Sequence, residues 1–190
     1  MSSRYLSIAT TPSVAAAQEH YGSAEQWARI GARAHADETA QSQRLGPAET
    51  AFIGARDGFY LASVSETGWP YVQYRGGPAG FLTTVDASML GFADFRGNRQ
   101  YITTGNVSAN DRVSLFLMDY AHRRRLKIYG HVRVIDAQDD PVLATKLTVP
   151  DYPARVERLV LIAVEAFDWN CPQHITPRFT LAELERWRLE

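Results

Sequence analysis

The chain has 190 residues, 45% of them hydrophobic, with 20 Lys plus Arg against 21 Asp plus Glu and a formal charge of -1. That is enough chain for one core and argues against a second domain, and the balanced charge creates no field for nucleic acid or an anionic membrane. No apolar run reaches the roughly 20 residues of a membrane helix, no basic stretch leads into an apolar one at the N-terminus, and the single cysteine, Cys171, has no internal partner, so the expectation is a cytoplasmic protein.

Residues 1–22 mix scattered apolar side chains with two threonines, Pro12 and an alanine run, and read as a partly ordered arm. Ser23 is placed to cap a helix, with Gln26 at capping-box spacing, and Trp27, Ile30 and Ala34 share one face of it. The polar stretch before Leu45 takes no assignment. Pro47 opens a second helix that turns Phe52 and Ile53 toward the core, and Arg56-Asp57-Gly58 ends it. The pattern then changes to strands. FYLASVS, the turn Glu66-Thr67-Gly68 and PYVQYR make a hairpin. Gly76-Gly77-Pro78 breaks the second strand. A short apolar segment (80–85), a turn at Asp86-Ala87 and a return (89–92) follow. RVSLFLMD (112–119) is a near-continuous apolar strand, and LKIYGHVRVI (126–135) alternates, so one of its faces is wet. Asp139-Asp140-Pro141 caps a helix reaching about Leu147. RLVLIAVEAF (158–167) is another core strand, and 168–178 an irregular polar loop. Thr180 with Glu183 forms a capping box for a last helix, whose Leu181, Leu184 and Trp187 make its buried stripe.

The elements add up to a mainly β chain with flanking helices: a six-stranded antiparallel sheet that curls toward a barrel. Hairpin-like spacing argues against a doubly wound parallel sheet. By segment, 1–56 is an N-terminal arm with helices, 57–179 the barrel domain, and 180–190 a terminal helix on the same domain.

One stretch carries chemistry. In GFADFRGNRQYITTGNVSANDR (91–112) a strand ends in a polar turn and passes into a short helix. Gly97 allows close backbone approach, and amides at a helix start point toward negative charge. Arg99 adds a planar fork that matches phosphate, with Asn98 and Gln100 as neutral donors. The same pattern reads equally as a solvated strand–turn–helix. Elsewhere the plain reading is the stronger one. Arg123 and Arg124 belong to a basic strand end, and only Arg125 is kept as a candidate. His131 faces solvent. His20, His35 and His122 show no metal-ligand spacing with any partner, so no metal is expected. Cys171 is a packed or loop thiol. Trp27 and Trp187 go to the core, and Tyr60, Tyr71 and Tyr129 to sheet packing. His174 stands as a loop histidine or a donor.

Taken in order, GWPYVQYR, LGFADFRGNRQYITTGNVSANDRVSLFLMD, LKIYGHVRVI and DWNCPQHITPRF resemble the pyridoxamine 5'-phosphate oxidase-like superfamily over roughly 57–179. The resemblance implies an FMN-binding split β-barrel with the flavin at a homodimer interface. It implies that Gln73, Tyr74, Arg75 and Gly76 line the flavin, and that Ala93 and Asp94 follow from a strand end. It places the phosphate clasp at Asn98, Arg99 and Gln100, where Asn stands for the family's serine and Gln for its lysine. Arg75 is a candidate replacement cation. Arg125 aligns with a cofactor-facing Gln. Trp169, and Arg178-Phe179 one residue early, match groups that the partner subunit supplies, with Asn170, Gln173 and His174 between them. The lysine that touches the pyridoxal substrate falls near Pro78, and the Arg-x-His that holds the substrate phosphate is replaced within Gln173-His174-Ile175-Thr176. A pyridoxamine phosphate oxidase in the strict sense is therefore not expected.

An FMN protein needs phosphate donors, a flat wall for the ring and a donor at the ring's N1–C2=O edge. Asn98, Arg99 and Gln100 are assigned to the first, Trp169 to the second, and Arg125 or Arg75 to the third. The expectation is a homodimeric FMN-dependent oxidoreductase acting on a small molecule or taking electrons from a nicotinamide donor, with catalytic residues unassigned. The alternatives are a non-catalytic flavin-binding or reservoir protein, or a split barrel that binds haem or a deazaflavin.

Overall fold

The computed structural model describes residues 3–36 and 44–188. Among these residues seven strands form one sheet: β1 (Gly58–Val64), β2 (Pro70–Gly76), β3 (Thr83–Asp86), β4 (Met89–Phe95), β5 (Arg112–Asp119), β6 (Arg124–Asp136) and β7 (Val156–Trp169). Their order is β2-β1-β5-β6-β7-β4-β3, and every pairing is antiparallel. The edge strands β2 and β3 do not pair with each other, so the sheet curls without closing. The strand count is seven rather than six. The segment at 80–85 divides: Phe81 and Leu82 plug the core at 2% and 0% exposure, and only Thr83 onward pairs with β4.

Alternation sets the two faces of the sheet. Phe59 and Leu61 of β1, Val113, Leu115 and Leu117 of β5, Leu126 and Ile128 of β6 and Val160 and Ile162 of β7 make the inner core with Leu90 and Phe92 of β4. On the outer face of β1 and β2, Tyr60, Val64, Val72 and Tyr74 remain exposed, beside Trp69 in the hairpin turn. Tyr74 lies flat across the paired residues Gly58 and Gly76; a Cβ at Gly58 would sit 2.0 Å from its hydroxyl.

Among the described residues seven helices flank the sheet: α1 (Ser3–Ala9), α2 (Pro12–His20), α3 (Ala24–Ala36), α4 (Pro47–Gly54), α5 (Ile102–Ala109), α6 (Pro141–Leu147) and α7 (Leu181–Trp187). The expected N-terminal arm is two helices. Thr11 followed by Pro12 is a helix start, and the Thr11 hydroxyl accepts from the Val14 amide at 3.4 Å. Tyr5 of α1 stacks on Tyr129 at 4.8 Å, and Arg4 pairs with Glu165. α3 turns Trp27, Ile30 and Ala34 to one half-buried side. Asp140 caps α6, accepting from the Leu143 amide at 2.9 Å. The capping box of α7 forms, with Thr180 donating to Glu183 and the Glu183 amide to Thr180 Oγ1 at 3.2 Å. Its apolar stripe does not bury: Leu181 is 80% exposed and Leu184 39%. The side chains of Trp187 and His35 and all of 37–43 lie outside the described residues. No described helix is long and apolar enough to cross a membrane.

Candidate functional site

The unclosed side of the sheet is where charge collects. Gln73 and Arg75 share the inward face of edge strand β2. Asp94, near the end of β4, pairs in register with Arg158 at the start of β7. Asp94 is 4% exposed and sits between two arginines. Arg75 Nη1 donates to its Oδ1 at 2.7 Å, and Arg158 donates to its Oδ2 through Nη2 at 2.7 Å and Nε at 3.0 Å. The triad therefore ties β2 to β4 and β7 with side chains, where no backbone ladder joins β2 to β4.

The loop from Gly97 into α5 is bent by two left-handed residues, Arg99 (φ 62°) and Tyr101 (φ 54°). Such conformations cost on the order of 1–3 kcal/mol each in non-glycine residues and concentrate at functional sites. The Asn98 side-chain Oδ1 accepts from the Gln100 backbone amide at 3.2 Å. Tyr101 is the N-cap of α5 and supplies no capping hydrogen bond, so the first amides of α5 have no side-chain acceptor there. The Tyr101 ring lies 4.7 Å from the Arg158 guanidinium carbon, and its hydroxyl accepts from Arg99 Nε at 3.1 Å. That hydroxyl keeps the Arg99 pKa raised, with the Tyr101 and Glu157 charges adding to it. Burial works against the Arg158 charge, but the Asp94 carboxylate outweighs it and leaves the pKa raised. Thr103 donates to Gln73 Oε1 at 2.9 Å, and Asn106 donates to buried Ser63 at 3.0 Å. Those two bonds lock α5 onto β1 and β2.

Together these groups wall a cavity of about 200 Å³ whose lining includes Gln73, Arg75, Asp94, Asn98, Arg99 and Arg158. Among its lining residues three arginines and one carboxylate leave two positive charges in excess, and Glu157, outside the lining, is shared between Arg158 and Arg96. Arg75 Nε is buried and has no acceptor among the described residues. A donor-rich cavity of this charge beside a helix N-terminus is built for an anion. Among the described residues that line it there is no His, Cys or Lys, and the one carboxylate there is already paired.

Of the residues singled out from the sequence, five meet here: Gln73, Arg75, Asp94, Asn98 and Arg99. Gln100 is exposed in the same loop but does not line the cavity. Gly76 follows Arg75 at the strand end. Ala93 is buried on the opposite face of β4, against Leu147 and Leu159. Tyr74 points to the outer face and packs edge-on to Tyr60, with ring centroids 5.5 Å apart; burial first, then Asp57 and Tyr60, raise its pKa.

The rest gather at the other end of β7. Trp169 pairs beside Leu126, donates to Glu49 Oε1 at 2.7 Å and meets Phe52 edge-on. Asn170 donates its amide to the Arg125 carbonyl at 3.2 Å. Arg125 Nε is buried without an acceptor among the described residues. Gln173 and His174 are exposed, His174 with φ 60°. The Arg178 guanidinium lies 5.1 Å from the Tyr120 ring. From Arg158 to Trp169 the strand runs roughly 35 Å at about 3.3 Å per residue, so within one protomer Trp169 does not cover the cavity. Sequence reasoning missed Arg158, Tyr101 and Thr103. Arg158 looked like the polar first residue of a core strand, and nothing local marks its register with Asp94.

A family model described as pyridoxamine 5'-phosphate oxidase matches residues 45–166, which takes in β1 through β6 and most of β7. No curated protein matches. Among solved structures, HupZ of Group A Streptococcus is similar at 12% identity, covering 71% of this chain and 100% of that one with a TM-score of 0.51. General Stress Protein 26 from Bacillus anthracis is 17% identical over 69% of this chain and 93% of its own, at 0.48. An FMN-binding protein from Syntrophomonas wolfei is 9% identical over 64% and 83%, also at 0.48. At such identities the likeness to HupZ is one of fold.

Proposed function

This chain belongs to the pyridoxamine 5'-phosphate oxidase family, and on that premise we propose that it is a cytoplasmic, homodimeric FMN protein, an oxidoreductase for a small molecule other than pyridoxamine phosphate. The observation that carries the proposal is the cavity at the start of α5, with two positive charges in excess and a buried Arg75 Nε that has no acceptor among the described residues. Arg75 and Arg99 would hold the phosphate, Asn98 would add a neutral donor, and Gln73, aimed by Thr103, would meet the chain that leads to the ring. Bound FMN would supply the electron or hydride transfer; the residues described here bind and orient.

The volume argues for two copies. A cavity of about 200 Å³ is smaller than the roughly 300–1,000 Å³ that encloses a drug-sized ligand, so a flavin anchored there leaves its ring outside. The second group of family-matched residues, around Trp169 and Arg125, lies at the far end of β7. A copy docked with opposite strand direction brings that end to the first cavity. The exposed Tyr60, Val64, Val72, Tyr74 and Trp69 offer an apolar face for such docking.

The test is direct. Purified protein should be yellow, or quench added FMN stoichiometrically, and should sediment as a dimer. Colourless protein that takes up no FMN, or a monomer under FMN saturation, overturns the proposal. A second reading, a flavin carrier without turnover, uses the same cavity and the same donors. Rapid reduction of the bound flavin by NADH or NADPH would decide against it.

A further inference from the structure

We infer that Arg158 is the third cation of this cavity and the residue that tunes it to a doubly charged phosphate monoester. The inference rests on the FMN reading above and goes beyond the clasp that the family motif describes.

Arg158 is supplied by β7, far in sequence from the loop that carries Asn98 and Arg99. Its side chain is only 15% exposed. Three neighbours hold it. Asp94 accepts from Nε at 3.0 Å and Nη2 at 2.7 Å, Glu157 accepts from Nη1 at 3.2 Å, and Tyr101 stacks on it at 4.7 Å. A guanidinium carries five N–H donors, and these contacts occupy three, leaving one hydrogen on each terminal nitrogen. A side chain already immobilised loses little rotamer freedom when an anion arrives.

The charge count points the same way. Among the lining residues Arg75 and Arg99 against Asp94 leave one positive charge and Arg158 raises the excess to two, while Glu157, outside the lining, is shared between Arg158 and Arg96. A phosphate monoester carries about -1.5 to -2 at neutral pH. Position 100, where the family clasp has a lysine, is Gln100, and it does not line the cavity. The missing cation has in effect moved from the loop to the strand opposite. A ligand with no phosphate gains nothing from Arg158, so Arg158 should govern selectivity between the phosphorylated and unphosphorylated forms of one molecule.

The experiment is a fluorescence-quenching titration of the full chain with FMN and with riboflavin, on wild type, Arg158→Gln and Arg158→Lys. Arg158→Gln should raise the Kd for FMN by at least about tenfold, the scale of a charge-assisted contact, and leave the Kd for riboflavin within about twofold. Arg158→Lys keeps the ion pair with Asp94 but has no spare fork, so it should lose several-fold on FMN alone. If Arg158→Gln weakens both ligands equally, or neither, Arg158 is only a brace for Asp94 and the inference falls. If Arg158→Gln does not fold, Arg158→Lys decides by the same ratio, and an unchanged ratio overturns it. Wild type that binds neither flavin removes the FMN reading and this inference with it, an outcome separate from an unchanged ratio in protein that does bind.

Discussion

Two buried aspartates, Asp94 and Asp119, are built alike and do different work. Each is the inward-facing carboxylate near the end of a strand, at 4% and 5% exposure, and each is held by cations from other elements. At Asp119 the Arg56 guanidinium spends every nitrogen on the protein: Nε donates to the Phe52 carbonyl at 3.2 Å, Nη1 to the Met118 carbonyl at 3.2 Å, and Nη2 lies 3.3 Å from Asp119. The amide and ring nitrogen of His122 complete the shell at 3.0 Å. At Asp94 the arginines have hydrogens left over, and those face a cavity. Arg56 and Arg158 alike spend one hydrogen from each nitrogen on the protein and keep the same number spare, so a buried ion cluster becomes a binding site only where its leftover donors meet a cavity. Asp94 is held by two arginines and Asp119 by one arginine and a histidine; the leftover donors beside open space make the difference.

The comparison breaks most sharply on stability. Asp119→Asn should cost about 3 kcal/mol in urea unfolding, because it strands the buried Arg56 charge, and leave FMN affinity unchanged. A large loss of flavin binding in that variant would erase the distinction. Arg99→Ala should do the reverse. Its side chain is exposed, so stability should hold, while flavin retention should fall at least tenfold, or about 1.5 kcal/mol or more; unchanged retention would mean the clasp has been misplaced.

Acid sharpens the contrast. Burial alone would raise the Asp119 carboxyl, but the His122 N–H groups and the Arg56 charge together hold it below its ordinary value of 3.8. A depressed carboxylate contributes stability that is complete above the unfolded value and is lost as pH falls through the folded one. Wild type should therefore shed its advantage over Asp119→Asn below about pH 4, the ordinary carboxylate range, and the two unfolding curves should converge there. Curves that stay parallel from pH 6 to pH 3 would show that Asp119 is not the source. The smallest effect is expected from Thr103→Val. It removes the bond that aims Gln73 and should cost about 1 kcal/mol of stability, with the FMN-to-riboflavin ratio unmoved because no phosphate contact changes.

Much of this was legible in the chain. The strands were, because alternation in LKIYGHVRVI and the apolar run in RVSLFLMD are local signals, and so were the caps at Asp140 and Thr180. Thr11-Pro12 carries an equally local helix-start signal, in the stretch expected to be a partly ordered arm. Leu181 and Leu184 failed for another reason: periodicity shows which residues share a face, not whether anything lies against it. The loop Gly97–Gln100 announced an anion site through residue type alone, and three of its expected partners, Gln73, Arg75 and Asp94, do meet it there.

What the amino-acid order determined by itself was the set of elements and the chemistry of one loop, since both depend on residues within a few positions of each other. What only the tertiary structure decided was which cations face that loop. Arg158 and Asp94 are 64 positions apart, and their pairing follows from the antiparallel register of β4 with β7. The two ends of β7 were likewise separated only by folding, because a strand holds its ends roughly 35 Å apart whatever the motif order along the chain suggests.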